Sequence, residues 1–142
     1  MPDLSSETLH ASTVAIDGRA VLIEGRSGSG KSDLALRLID RGAALVSDDY
    51  TLVMRKDGIL RAKAPTTIAG KMEVRGIGIV DMPTIDDVPV ALIVRLDVEV
   101  LRMPERRLRR VAGVEVREIA IDPFTASAAI KVELALRQES PA

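Results

Sequence analysis

The 142-residue sequence contains no cysteine and no tryptophan, and its only Phe or Tyr residues are Tyr50 and Phe124. Without cysteine there is no disulfide staple, no thiolate zinc site and no thiol nucleophile. Two aromatics cannot build a ladder of stacking platforms for single-stranded nucleic acid. The core must therefore be aliphatic, drawn from the 46% of residues that are apolar. No excess of one charge exists either: 20 basic against 21 acidic residues leave a net charge of −1. Nothing global attracts a polyanion. No apolar run approaches the roughly 20 residues of a membrane span. The opening, Met1-Pro2-Asp3-Leu4-Ser5-Ser6-Glu7, has neither the basic nor the apolar region of a signal peptide. The length fits one domain over residues 1–142 with a sizeable buried core. These absences describe a soluble cytoplasmic protein that binds neither membrane nor nucleic acid.

The chain reads as one α/β domain. Leu9–Ile16 and Ala20–Glu24 suggest a hairpin around Asp17-Gly18. A glycine-rich interruption follows, and Lys31–Arg41 carries Leu34, Ala35, Leu38 and Ile39 at helical spacing, with Gly42 as its stop. Ala43–Val46 is a short apolar strand ending in Ser47-Asp48-Asp49. Thr51–Arg55 and Ile59–Ala62 form a second hairpin about Lys56-Asp57-Gly58, and Ala64–Lys71 is irregular. Met72–Asp81 is short, β-branched and interrupted by two glycines. Val90–Leu96 and Val114–Ile121 are further strands, and Ser127–Gln138 is a closing helix. The basic cluster Glu105–Arg110 reads most simply as a solvated helix face.

The interruption, Gly25-Arg26-Ser27-Gly28-Ser29-Gly30-Lys31-Ser32, fits G-x-x-x-x-G-K-[ST] throughout. Glycines let backbone N–H groups converge on phosphate oxygens, and the helix behind them adds its partly positive N-terminus. Lys31 reaches terminal phosphates, and the Ser32 hydroxyl suits Mg²⁺. A flexible Gly-Ser loop is the bland alternative, but a strand before and a helix after supply the context the motif requires. Nucleotide binding is the expectation.

A phosphate loop does not specify a reaction, so the remaining polar residues must. Asp48 and Asp49 follow an apolar strand expected beside the loop strand, where carboxylates face the ligand crevice. Adjacent carboxylates on an extended backbone point apart, which permits one at the metal and one taking a proton from a hydroxyl nucleophile. Glu73 and Arg75 flank Val74 and would share one strand face. On those residues alone an ordinary charged strand is the simpler reading. His10, the sole histidine, would matter only if the fold brought it to the acidic pair.

Several of these stretches, in this order, resemble the catalytic domain of HPr kinase/phosphorylase. They are Leu9-His10-Ala11, the loop with Asp33, Arg41-Gly42, Val46-Ser47-Asp48-Asp49, Ala64-Pro65 and Met72–Asp81. Glu73-Val74-Arg75-Gly76-Ile77-Gly78-Ile79-Val80-Asp81 is the most specific of them. The likeness is close from His10 to Asp81 and weaker through Arg107-Leu108 and Gly113–Leu136. Asp122-Pro123-Phe124-Thr125-Ala126-Ser127 stands where a Pro-Gly-Arg-Asn type loop is expected. The short layout resembles alphaproteobacterial forms.

The resemblance implies a P-loop α/β fold with a mixed, largely β core, akin to phosphoenolpyruvate carboxykinase. It implies phosphorylation by ATP of a seryl hydroxyl on the phosphocarrier HPr, regulating the sugar phosphotransferase system. The reverse reaction is phosphorolysis, with inorganic phosphate and pyrophosphate as alternative substrates. By this likeness Asp48 is the catalytic carboxylate, His10 assists it, and Arg107 is a catalytic arginine. Ser32, Asp49 and Glu73 lie at or near Mg²⁺ or Mn²⁺, Gly25–Ser32 cradle the nucleotide, and Arg75 contacts phosphate or the partner. A homo-oligomer, hexameric by resemblance, is also implied. The competing readings are a P-loop small-molecule kinase and a non-catalytic nucleotide-dependent regulator.

Overall fold

The computed structural model describes residues 5–139; Met1–Leu4, part of the segment read as lacking a signal peptide, lies outside them. The chain runs β1 (Ser6–Leu9), β2 (Ala11–Ile16), β3 (Arg19–Glu24), α1 (Lys31–Asp40) and β4 (Ala44–Ser47). Then come β5 (Thr51–Lys56), β6 (Ile59–Lys63), β7 (Lys71–Val74), β8 (Gly78–Asp81) and β9 (Val88–Arg95). β10 (Arg107–Val111), β11 (Val114–Ala120) and α2 (Ala128–Arg137) complete it. The result is a mixed, strand-dominated α/β fold.

β3 is apolar from Ala20 to Ile23 and therefore must be covered on both faces. It lies between β2, antiparallel with Val14 opposite Val21, and β9, parallel with Ile23 opposite Val94. Alternation then divides the core. Val21, Ile23, Leu92 and Val94 face α1 and α2, where Leu34, Leu38, Val132 and Leu136 are buried. Ala20, Leu22 and Ile93 face the other way, against Val53, Leu60, Val111 and Val116. β9 also meets β6 at its start and β11 further along, so one long strand joins both halves of the sheet. β7 and β8 form a separate hairpin.

Local signals explain most boundaries. α1 ends in a Schellman motif: Gly42 N–H donates to the Ile39 carbonyl and Ala43 N–H to Leu38, both at 3.0 Å, with Gly42 at φ 111°. The exposed edge of β4 is covered by the segment at Pro83–Ile85, which exchanges backbone hydrogen bonds with Leu45.

Four expectations change. Leu9–Ile16 is not one strand: the chain bends at His10, β1 pairing with β5 while β2 pairs with β3. The strand before Asp48 is not beside the loop strand, because β2 stands between β3 and β4. The Glu105–Arg110 cluster is no helix face: Arg107–Val111 is a strand, closed onto β11 by Ala112-Gly113 with φ of 47° and 83°. Two positive φ values are the signature of a tight hairpin turn, which outweighed the helix-compatible charges. Arg75 lies in the turn after β7 rather than on its face. No helix among the described residues is long and apolar enough to cross a membrane.

Candidate active site

The loop between β3 and α1 is held in shape by its own residues. Ser29 N–H donates to the Arg26 carbonyl at 2.9 Å, and Gly28 and Gly30 take φ of 81° and 100°. Those values favour glycine. Gly25 is required for a different reason: a Cβ there would overlap Ser29 Oγ and lie 3.3 Å from Leu96 Cβ. Lys31 is buried and folds its ammonium back onto the Gly25 and Arg26 carbonyls, at 2.9 and 3.3 Å. A cationic donor is thus stored within the loop.

Asp48 and Asp49 are placed differently although adjacent. Asp48 is buried at 6% exposure. Its Oδ1 accepts from Ser32 Oγ at 2.7 Å and Ser12 Oγ at 3.0 Å, and its Oδ2 accepts from Glu73 N–H at 3.0 Å. Asp49, with a side chain 56% exposed, sits at φ 66° inside a tight turn closed by Tyr50 N–H on the Asp48 carbonyl at 2.7 Å. Left-handed backbone at a non-glycine residue is uncommon and concentrates at functional sites. Ser47 Oγ donates to the Tyr50 carbonyl and steadies the same turn.

His10 reaches this pair, but through the other member. Its Nε2 lies 2.8 Å from Asp49 Oδ1, not on Asp48, and its ring stacks on Tyr50 with centroids 5.0 Å apart. The bend between β1 and β2 brings it there. Ser12, two residues on, is wholly buried; it donates to Asp48 and accepts Asp49 N–H at 3.1 Å. Sequence reasoning missed Ser12, since a serine inside an apolar strand carries no signal until its partners are known.

Beside the loop opens a cleft of about 390 Å³, lined by Leu9, His10, Glu24, Gly25, Arg26, Arg95, Asp97 and Arg109. Arg109 pairs with Glu24 at 2.5 Å, and Arg95 with Asp97 at 3.3 Å. Glu118 lies 3.6 Å from Arg109 and 3.7 Å from Arg95. Burial opposes the Arg109 charge, but Glu24 and Glu118 outweigh it and raise its pKa. The cleft therefore offers Arg95 from β9, which the sequence reading did not single out, and Arg109 from β10, which it assigned to a solvated helix face. Arg107 is not among its lining residues: 71% exposed, it stands 3.8 Å from Glu118. A strand puts 107 and 109 on one face, as their shared approach to Glu118 shows, and the helical reading hid that pairing. Arg75 is exposed, and Glu73 joins the site through its backbone N–H, its side chain being exposed.

Among the described residues no group of three or more His, Cys, Asp or Glu side chains gathers to hold a metal. Mg²⁺ at a nucleotide site needs only one or two carboxylates, the remainder being phosphate and water oxygens. Ser32 Oγ and Asp48 Oδ1, 2.7 Å apart at the loop, fit that requirement.

The fold agrees with comparison to known proteins. The model of the family described as HPr Serine kinase C-terminal domain matches residues 3–122. The chain belongs to the HPr serine kinase C-terminal domain family. It is 46% identical over 83 residues to an HPr kinase/phosphorylase of Clostridium novyi, covering 58% of this chain and 27% of that protein. An HPr kinase/phosphorylase of Clostridium acetobutylicum is 45% identical over the same length, with the same coverage. The chain thus spans about a quarter of the curated relatives it matches. Among solved structures, the Hpr(Ser) kinase/phosphatase from Coxiella burnetii superposes with a TM-score of 0.78 at 28% identity. That match covers 93% of this chain and 95% of the other. Membership in the HPr serine kinase C-terminal domain family agrees with the mixed, strand-dominated α/β fold.

Proposed function

We propose that this chain is an ATP-dependent protein-serine kinase whose acceptor is a seryl hydroxyl of an HPr-like phosphocarrier protein. The observation that carries the reading is the exposed Asp49 carboxylate, bonded to His10, which lines the cleft with Gly25 and Arg26 of the loop. Family membership and the names of the relatives support the choice of HPr. By the same support the protein regulates the phosphotransferase system in the cytoplasm, and it removes the phosphate by phosphorolysis to pyrophosphate. A homo-oligomer, hexameric as the family resemblance implies, completes the proposal.

The geometry favours a division of labour opposite to the one read from sequence. Asp48 is buried, and its two oxygens already accept from Ser12, Ser32 and Glu73. A base must touch the proton it removes, and Asp49 is the carboxylate that an incoming hydroxyl can touch. Asp49 accepts the seryl proton as the seryl oxygen bonds the γ-phosphorus, and the bond from that phosphorus to the ADP oxygen breaks. His10 orients the Asp49 carboxylate and holds its charge in place. Lys31 exchanges its loop carbonyls for phosphate oxygens, and the loop N–H groups stabilise the equatorial charge. Ser32 and Asp48 would hold Mg²⁺, which supplies further neutralisation of the β- and γ-oxygens when bound. Arg109 and Arg95 line the cleft through which the acceptor approaches.

The test is transfer from γ-labelled ATP to purified HPr in the presence of Mg²⁺, followed by identification of the labelled residue. Label on serine supports the proposal. Label on a small molecule, or none on HPr while ATP is bound, refutes it.

A further inference from the structure

Two aromatic side chains stand in this molecule, and they lie on opposite flanks of the phosphate loop. Tyr50 belongs to the acidic side, stacked on His10 next to Asp49. Phe124 lies in the segment between β11 and α2 and is 80% exposed. The strand order explains the separation. β4, which delivers Asp48, sits beyond β2 on one side of β3, whereas β11, which delivers Phe124, sits beyond β9 on the other.

Phe124 is exposed but not loosely held. Its N–H donates to Asp122 Oδ1 at 2.9 Å, and Thr125 Oγ1 donates to the Asp122 carbonyl at 3.2 Å. From α1, the Arg37 guanidinium donates to the Pro123 carbonyl and, at 3.4 Å, to that of Thr125. Pro123 is buried against the loop: a Cβ placed on Gly30 would meet Pro123 Cγ at 3.3 Å and Phe124 Cε1 at 3.7 Å. The helix that starts the phosphate site therefore also anchors the pedestal of this ring.

We infer that Phe124 is the platform on which the purine base of the bound nucleoside triphosphate stacks. The inference rests on reading the loop as an ATP site and adds where the base goes. Ser32 and Asp48 fix the terminal-phosphate end on the β4 side. The nucleoside end must run the opposite way, past Gly30, to the flank where the ring is held. An aromatic face accepts any base by its π surface, so the platform recognises a purine by stacking, while the loop recognises the phosphates.

The absence of tryptophan makes the test direct. Phe124→Trp gives the full chain a single indole, and its fluorescence is titrated with ATP and with inorganic tripolyphosphate. Phe124→Ala is titrated with the same two probes by calorimetry. The expected results are quenching of the indole by ATP and not by tripolyphosphate, and about tenfold weaker ATP binding by Phe124→Ala with tripolyphosphate unchanged. Wild-type ATP affinity in Phe124→Ala overturns the platform; if acceptor KM then rises, the ring serves the acceptor protein instead. Equal losses for both probes also overturn it, because the pedestal and not the ring was needed. Binding of neither probe by the unaltered chain removes the phosphate-loop reading and the platform together.

Discussion

His10 Nε2 and Asp49 Oδ1 stand 2.8 Å apart, although 39 positions separate them in sequence. The contact exists because the chain bends between β1 and β2, and because Asp49 takes a left-handed backbone that turns its carboxylate outward. Its neighbour Asp48 points inward to Ser12 and Ser32. Two adjacent carboxylates thereby acquire separate environments, and the account of catalysis depends on that difference.

Asp49→Asn should lower turnover by about a hundredfold or more, the usual scale of a lost general base, with ATP affinity little changed. His10→Ala should lower turnover less. Asp48→Asn should instead weaken binding of MgATP. Turnover and calorimetric affinity, measured side by side on the three variants, separate the roles. Loss of ATP binding in Asp49→Asn would reverse them.

Ser12→Ala removes a buried hydroxyl that donates to Asp48 and accepts from Asp49 N–H. Leaving such groups without a partner costs about 1–3 kcal/mol. Denaturant unfolding should register that loss, and turnover should fall with it while tripolyphosphate still binds. A fully stable, fully active variant would remove Ser12 from the site.

Gly25→Ala and Gly28→Ala should differ although both lie in the loop. At Gly25 the new Cβ displaces the Ser29 hydroxyl and crowds Ser29 Cβ and Leu96 Cβ at 3.0 and 3.3 Å, so the loop must give by a few tenths of an ångström and ATP binding should weaken. At Gly28 nothing lies within 4 Å, and only the φ of 81° opposes alanine, a cost of about 1–2 kcal/mol. Thermal melting and ATP titration of both variants check the order.

The C-terminal end of α2 is tied to β10–β11 through Glu139, which bonds Arg106 at 2.8 Å and Arg117 at 3.1 Å. The Arg106 hydrogen bond, offset in part by burial, holds the Glu139 carboxyl below the ordinary glutamate range. A lowered folded pKa contributes stability above the unfolded value of about 4.3, and that stability is lost as pH falls through the folded value. Glu139→Gln should thus cost about 1 kcal/mol near neutral pH and progressively less in acid. A penalty independent of pH would contradict the ion-pair origin.

Much of the fold is legible in the sequence because its signals are local. Asp17-Gly18, Gly42 and the loop glycines each demand a backbone that few other residues adopt, and they set the boundaries of β2, β3 and α1. Lys31, Ser32, Asp48 and Asp49 could be named because the motif and the adjacent strand end carry chemistry in their spacing. What was hidden is long-range. Which carboxylate His10 meets, the insertion of β2 between β3 and β4, and the hydroxyl of Ser12 are all decided by strand pairing. The run from Arg106 to Arg110 carried two signals at once. Its charges suited a solvated helix, whereas the Ala112-Gly113 turn made it a strand, with Arg107 and Arg109 on one face, both reaching Glu118, and Arg109 lining the cleft.

The most direct measurement is intact-mass spectrometry of HPr incubated with ATP, Mg²⁺ and either the unaltered chain or Asp49→Asn. The account predicts one added phosphoryl group on a serine of HPr with the unaltered chain, and almost none with Asp49→Asn despite bound ATP. Unmodified HPr with the unaltered chain, or full modification with Asp49→Asn, would contradict it.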